Sequence, residues 1–470
     1  MVKALYSRLI FWILLVFFSI SYFSYFPGAY SPDSNALFLN VLGCSPYIVS
    51  ATPVIAFIWK LFGTSDYIPL LIIYLVILYC IIISIKLLKS HILAICLIIC
   101  LILPSIMQTI IFVWKDNGLL VALLLLTFLC IKHSKFSIKF CVSFVIIAFI
   151  AFIMRFNAVF AVTPFIYYLF SLKFSRIKSF MLLFFVLLGF VLLNGFINQY
   201  IFRAVKIDSL YSLELTDIAK VNYYKQRYIG TLIPDNFIEE KNTNKENVDK
   251  MFKLYDQFRC SDILFMHASW GDAKTFLTDK NSNSDDSLKK LRQNWITTIY
   301  NNPLAYMVVR LQQFNQALWI RRISDINDAI LNKSNISSAL KQCKMDKPDF
   351  QLPQLHEPMN NRLMSGIRHI NENINNSDSI LYTIVSRPGT YLILNLLLLL
   401  YVIWRRPNSY KLIGTICASG ILYCVGYIPI LPCLDYRYFL WTIVSFYLAF
   451  GLFLSLEYGH NPHRKLIGKV

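Results

Sequence analysis

Charge is what this chain has least of. Only 15% of its 470 residues are charged, against about 25% in ordinary globular domains, and 57% fall in the broad apolar class. That balance excludes a disordered chain, a coiled coil and a small secreted scaffold, and it leaves little room for a water-soluble enzyme. Negative charge is scarcer still. Outside residues 202–388 it is carried by Asp33, Asp66, Asp116, Asp435 and Glu457 alone. No Walker loop, GxSxG or HExxH pattern occurs, so none of the chemistries those motifs mark is expected. CxxC and Cys/His metal spacings are missing too, and most of the eleven cysteines lie inside apolar runs, where a free thiol behaves as a small apolar group. Cys260 and Cys343 share the polar stretch and could pair in an oxidising compartment, although spacing alone does not establish it.

What the chain has is long apolar runs: 9–26, 67–85, 91–111, 117–131, 137–153, 158–172, 179–201, 389–404, 411–431 and 438–456. A bilayer core of about 30 Å takes roughly 20 helical residues, so the expectation is an all-α polytopic membrane protein. Residues 47–62 are apolar but short and contain Pro53; they are read as an interfacial or re-entrant segment. With that reading sixteen Lys and Arg fall in short loops on one side, and only Lys60, Lys115, Arg155 and Arg437 fall on the other. Positive residues mark the cytoplasmic side. The expected layout is therefore about ten spans with both termini cytoplasmic. An N-terminal membrane block, 1–201, holds about seven spans and a first outer loop at 27–66. A mainly helical extracytoplasmic domain, 202–388, is inserted between spans 7 and 8. A C-terminal block, 389–470, holds about three spans and a cytoplasmic tail. The first span has no small-residue cleavage site before Pro27 and is read as uncleaved. Much of the +19 net charge is explained by orientation, so nucleic acid is not an expected partner. Within the polar stretch, 287–320 reads as two amphipathic helices broken at Asn301-Asn302-Pro303.

The outer short loops hold the charges that orientation leaves unexplained: Asp33, Lys115–Asp116, Arg155 with Asn157, and Asp435 with Arg437. Ionisable groups at membrane level are costly and usually pair or face a cavity. Together they would form a polar cleft suited to an amphiphile with an anionic head. Each has a plainer reading. Asp33 can cap a helix starting near Ser34. Lys115–Asp116 can be an interfacial ion pair, Arg155 can snorkel, and Asp435 and Arg437 can satisfy each other. Trp114, Tyr436, Tyr438 and Trp441 fit an aromatic belt at the membrane surface. His267, His356 and His369 show no ligand spacing and read as surface or core residues.

The order of these motifs is similar to that of a known group. A first span followed by PGAYSPDSNALFLN (27–40), then LPSIMQTIIFVWKDNGLLVALLL (103–125), MRFNAVFAVTPF (154–165) and LDYRYFLWTIV (434–444), resembles the membrane glycosyltransferases of the C superfamily, family 39-like enzymes among them, in a bacterial branch. LTDIAKV (215–221) and WITTIYNNPLAYMVVRL (295–311) resemble that branch as well. The resemblance implies a donor sugar on a polyprenyl phosphate and an acceptor hydroxyl on a surface glycan or lipid, of O-antigen or lipooligosaccharide type, with direct attack inverting the anomeric centre. Asp33 would be the general base. Lys115, Arg155 and Arg437 would hold the phosphate, and Asp116 would orient Lys115 or a substrate hydroxyl. Asn157 and Asp435 would complete the binding site. No metal or cofactor is expected. Trp270, Trp295 and Trp319 could stack on sugar rings or belong to the core of the polar domain. The implied setting is the bacterial cytoplasmic (inner) membrane.

Two other readings compete. An O-antigen polymerase or ligase would act on polyprenyl-diphosphate glycans and also use outer arginines; the early Asp33 loop favours a general base instead. A lipid or glycan transporter would place polar groups near the membrane midplane and show internal repeats; here the charges sit at outer ends.

Overall fold

The computed structural model describes residues 19–29, 31–47, 53–88, 91–113, 115–133, 135–155, 157–204, 284–319, 384–407, 409–431 and 435–457, with isolated positions at 12 and 16 and within 213–225 and 340–373. Cys260, Trp114, Trp270, His267 and His356 lie outside them. The described chain is helical and has no strand; its one β-bridge joins Ala29 to Phe112. Two compact units emerge: Met1–Lys206 with Arg321–Val425 and Tyr436–Val470, and Ile207–Ile320 with Gly426–Asp435.

In the first unit the helices are α1 (Pro32–Val41), α2 (Pro53–Phe62), α3 (Ile68–Leu88), α4 (Ile92–Ile102), α5 (Pro104–Ile110), α6 (Lys115–Lys132), α7 (Ile138–Met154), α8 (Ala158–Ser171) and α9 (Arg176–Phe196). Among the described residues, four helical stretches are long and apolar enough to cross a membrane: Ile68–Lys86, Arg176–Ile201, Pro388–Arg405 and Tyr436–Glu457. A fifth is added if α4 and α5 count as one broken span. The run 91–111 is thus no straight helix. It bends by 81° between α4 and α5, because Pro104 forces Leu103 into an extended conformation, ψ 122°. The shorter apolar helices include α2, at 10 residues. At 1.5 Å per residue that is about 15 Å, too short to span a core of about 30 Å.

Exposure separates outer from central helices. Only 11% of the most apolar window of Arg176–Ile201 is buried, against 72% for Tyr436–Glu457. Ile177, Phe180, Phe184, Leu188 and Leu192 of α9 all point outward; such a helix has no stable place in water.

Three further α-helices among the described residues belong to the first unit: α12 (Pro388–Arg405), α13 (Tyr410–Val425) and α14 (Leu440–Glu457). A polar seam locks α14 to its neighbours. Asn395 Nδ2 donates to the carbonyls of Tyr391 and Thr442 at 2.8 Å each. Thr442 donates to the Gly420 carbonyl at 3.0 Å. Trp441 Nε1 donates to Ser419 Oγ at 2.9 Å, and Ser419 donates on to the Ala161 carbonyl at 2.6 Å. Gly420 has to be glycine here, since an added Cβ would overlap the Ser445 side chain. Small residues let helix backbones approach so that such bonds can form in an apolar setting.

The first loop is a built structure. Ser31 is the N-cap of α1 and forms a reciprocal capping pair with Ser34. The α1 face of Leu37, Phe38 and Val41 packs on Ala56 and Trp59 of α2, on Ile68 and Val113, and on Leu340. One helical turn from Leu340, Cys343 forms a disulfide with Cys44. The possible partner of Cys343 named from sequence, Cys260, is thereby replaced. Shared packing through Leu340 brings two segments 299 residues apart side by side.

The second unit contains α10 (Ser284–Asn301) and α11 (Pro303–Leu318), broken at the Asn-Pro step. Its core is ionic. Arg310 donates to Asp217 and Trp295 Nε1 donates to the same carboxylate oxygen, Asp217 Oδ2, at 2.9 Å. Lys220 donates to Gln313 at 2.8 Å, and Arg292 to Glu214 at 2.9 Å. Arg310 and Gln313 both donate to the Leu431 carbonyl, at 2.9 and 3.0 Å. Those two bonds tie the 426–435 segment into this unit.

Peptide mapping without reductant should recover Cys44 and Cys343 in one linked peptide, and Cys343→Ser should cost about 2–4 kcal/mol of stability. Two free thiols in protein isolated from its native membrane would contradict the assignment.

Candidate functional site

Three backbone devices assemble the site in the first unit. Ala29 exchanges hydrogen bonds with the strand-like residues ahead of α6: its N–H donates to the Ile111 carbonyl at 3.0 Å, and Val113 N–H donates back at 3.2 Å. Gly28 makes that approach possible. Its φ is +120°, and a Cβ there would stand 3.3 Å from the Ile111 carbonyl oxygen. Asn117 then knots α5 to α6. Its Nδ2 lies 3.0, 3.0 and 2.6 Å from the carbonyls of Thr109, Ile110 and Phe112, acceptors freed where the short helix ends. Gly118 lies against Met154, whose Sδ would sit 2.9 Å from an added Cβ. That contact sets the end of α7, and so Arg155, beside the start of α6.

Five charged residues from four separate segments converge as a result. Arg437 donates to Asp33 Oδ2 at 2.7 Å, and Arg155 Nε stands 2.7 Å from Asp116 Oδ1. The Asp33 side chain is 57% exposed while Asp116 is at 1%. Both guanidiniums lie over one ring: Arg155 is 4.6 Å and Arg437 5.4 Å from the Tyr438 centroid. Lys115 completes the group and interacts electrostatically with all four charges. Three cations face two carboxylates, which leaves an excess of one positive charge beside an exposed carboxylate.

Partial desolvation by the surrounding protein works to raise the Asp33 carboxyl, but Arg437, and then Lys115 and Arg155, outweigh it and hold the group below its ordinary 3.8. Asp33 is therefore ionised throughout the neutral range. Its attraction for Arg437 is fully present above the ordinary carboxyl value and lost as pH falls through the lowered one. Lys115 stands two residues ahead of the apolar run 117–131. Burial, with Arg155 next, pushes its ammonium down to about 8 against the pull of Asp116 and Asp33. A bound anion would reverse that shift.

The sequence candidates divide cleanly. Asp33, Lys115, Asp116, Arg155 and Arg437 come together. Asn157 heads α8 without capping it, and its Nδ2 is buried with no hydrogen-bond partner among the described residues. Asp435 falls in the second unit and is half-buried there. The cap role open to Asp33 is filled by Ser31, which leaves the carboxylate to Arg437. The aromatic-belt reading fails for three of its four residues. Tyr436, Tyr438 and Trp441 are 1%, 3% and 1% exposed. Tyr436 shares a hydrogen bond with Ser105 at 2.9 Å, which fixes the turn that carries Arg437. Trp295, a candidate sugar platform, is occupied as a donor to Asp217, whereas Trp319 is 41% exposed. Among the described residues no group of three or more His, Cys, Asp or Glu could hold a metal ion. No family model, curated protein or solved structure matches the chain.

Tyr438→Phe should keep the melting temperature and Tyr438→Leu should lower it, since each cation–ring contact contributes about 0.5–2 kcal/mol. Equal melting temperatures for the two variants would show that the ring does not hold the arginines.

Proposed function

We propose that this chain is an inverting glycosyltransferase. It moves a sugar from a polyprenyl phosphate to a hydroxyl of a surface glycan or lipid at the outer face of a bacterial cytoplasmic membrane. In this reading the chain has about ten spans, both termini are cytoplasmic and the large polar domain is outside. One observation carries the proposal: an exposed, ionised carboxylate, Asp33, sits among Arg437, Arg155 and Lys115. The resemblance of the surrounding motifs to glycosyltransferases of the C superfamily points the same way.

The chemistry follows from the charges. The acceptor oxygen attacks the anomeric carbon, its proton passes to Asp33, and the bond from that carbon to the phosphate oxygen breaks with its electrons left on phosphate. A hydroxyl is a poor nucleophile, and a carboxylate base within hydrogen-bond reach contributes about 100- to 10,000-fold. Negative charge grows on the departing phosphate, where preorganised cations act most strongly. Arginine suits that task because its planar fork matches a phosphate. Arg437 is engaged by Asp33. A donor phosphate would take over Arg437 and release the carboxylate for the acceptor, so that base and donor become ready together. Asp116, buried against Arg155, holds that arginine in place.

The test is mass spectrometry of surface glycans from wild type, a deletion strain, and the deletion complemented with Asp33→Asn. The expected result is loss of one sugar residue, unrestored by Asp33→Asn at normal protein abundance. Full restoration would remove Asp33 as the base. An intact repeat with altered chain length or attachment would replace this reading with a polymerase or ligase.

A further inference from the structure

Between Gln293 and Trp319 the helices of the second unit expose no charge. From Gln293 to Trp319 the chain contains a single ionisable basic or acidic side chain, Arg310, and that one is 2% exposed and bound to Asp217 and the Leu431 carbonyl. Just upstream, Ser284–Arg292 holds Asp285, Asp286, Lys289, Lys290 and Arg292. Charge therefore stops abruptly partway along α10. Beyond that point the outward positions are apolar or neutral. Ile296 is 55% exposed, Tyr300 83%, Leu304 73%, Met307 52% and Leu311 46%; the exposed polar residues between them are Thr, Asn and Gln.

These side chains are grouped by helix geometry. At about 100° per residue, Leu304, Met307 and Leu311 fall within an arc of about 60° on α11, with Gln312 and Gln316 to one side. On α10, Ile296 and Tyr300 lie within about 40° of each other and share their face with the exposed Lys289 and Arg292. A face turned wholly to water would carry charges along its length; this one carries them only at the start of α10. We propose that this face of α10 and α11 rests on a phospholipid bilayer, with Ile296, Tyr300, Leu304, Met307 and Leu311 at the acyl-chain boundary. Lys289 meets the phosphate headgroups, and beside it the half-exposed Arg292 also donates to Glu214. The occupant is argued from three features. Neutral polar side chains tolerate the headgroup layer. Tyr300 and Trp319 are of the amphipathic type enriched there, and basic residues on the same face match anionic lipid. In the sequence, helices long and apolar enough to cross a membrane precede and follow this segment. The inference is independent of the reaction proposed above.

The test uses the full chain in vesicles of phosphatidylethanolamine and phosphatidylglycerol, with a nitroxide on Tyr300→Cys, Leu304→Cys or Gln316→Cys and the labelled unsubstituted chain as blank. The expected result is that oxygen collides several-fold more often than a water-soluble nickel chelate at 300 and 304, with the preference reversed at 316. Dominance of the nickel chelate at 300 and 304 would place the face in water and overturn the proposal. Protection from both reagents would show that protein covers the face, and would overturn it equally.

Discussion

Two arginines share one tyrosine ring, and each keeps its own carboxylate. Arg155 and Arg437 would repel each other in a setting with little water. Their arrangement holds because Asp116 and Asp33 neutralise them and the Tyr438 ring faces both. The rest of the first unit is organised to permit this. The Ala29 bridge brings the first loop to α6, the Asn117 knot ends α5 where α6 must begin, and Gly118 lets Met154 close in. A change in any of these would move a charge away from its partner and leave it to be desolvated alone, which is strongly unfavourable.

The two pairs differ in environment. Asp116 is sealed against Arg155, and breaking that pair would strand a buried charge. Asp33 is exposed, so its ion pair is screened by water and easily exchanged. A structural pair and an exchangeable pair side by side give a site that is rigid on one side and open on the other. Under the proposed reaction, that difference suits Asp116 to holding Arg155 and Asp33 to proton transfer. The second unit uses buried pairs differently. Asp217 with Arg310 is buried in its core, Glu214 is buried against a half-exposed Arg292, and burial raises the Asp217 carboxyl even though Arg310 opposes it.

Much of the site was legible because membrane-level charge is rare. Asp33, Lys115, Asp116, Arg155 and Arg437 stood out as charges at the ends of apolar runs, and the structure brings them together. Tyr438 was assigned to a membrane belt because sequence shows an aromatic residue near a span end and says nothing of the two cations that bury it. The Leu103–Pro104 step carried a visible signal for the bend, but the apolar run around it looked continuous. Cys44 and Cys343 are far apart in sequence, and only the packing of Leu340 against α1 pairs them. The tie of 426–435 to the second unit rests on the Leu431 carbonyl, a backbone acceptor that no side-chain pattern reveals. The exposed apolar face of α10 and α11 was seen as amphipathic, but which side faced the protein depended on Asp217 and Glu214 from another segment.

The most direct measurement is the affinity of the purified full-length protein in nanodiscs for a polyprenyl phosphate, compared among wild type, Arg437→Gln and Asp33→Asn. If Arg437 exchanges its carboxylate for the donor phosphate, Arg437→Gln should weaken binding by about tenfold or more, equivalent to about 1.4 kcal/mol. Asp33→Asn should tighten it, because the competitor for Arg437 is gone. Affinities unchanged in both variants, or no binding by the wild type, would contradict the account.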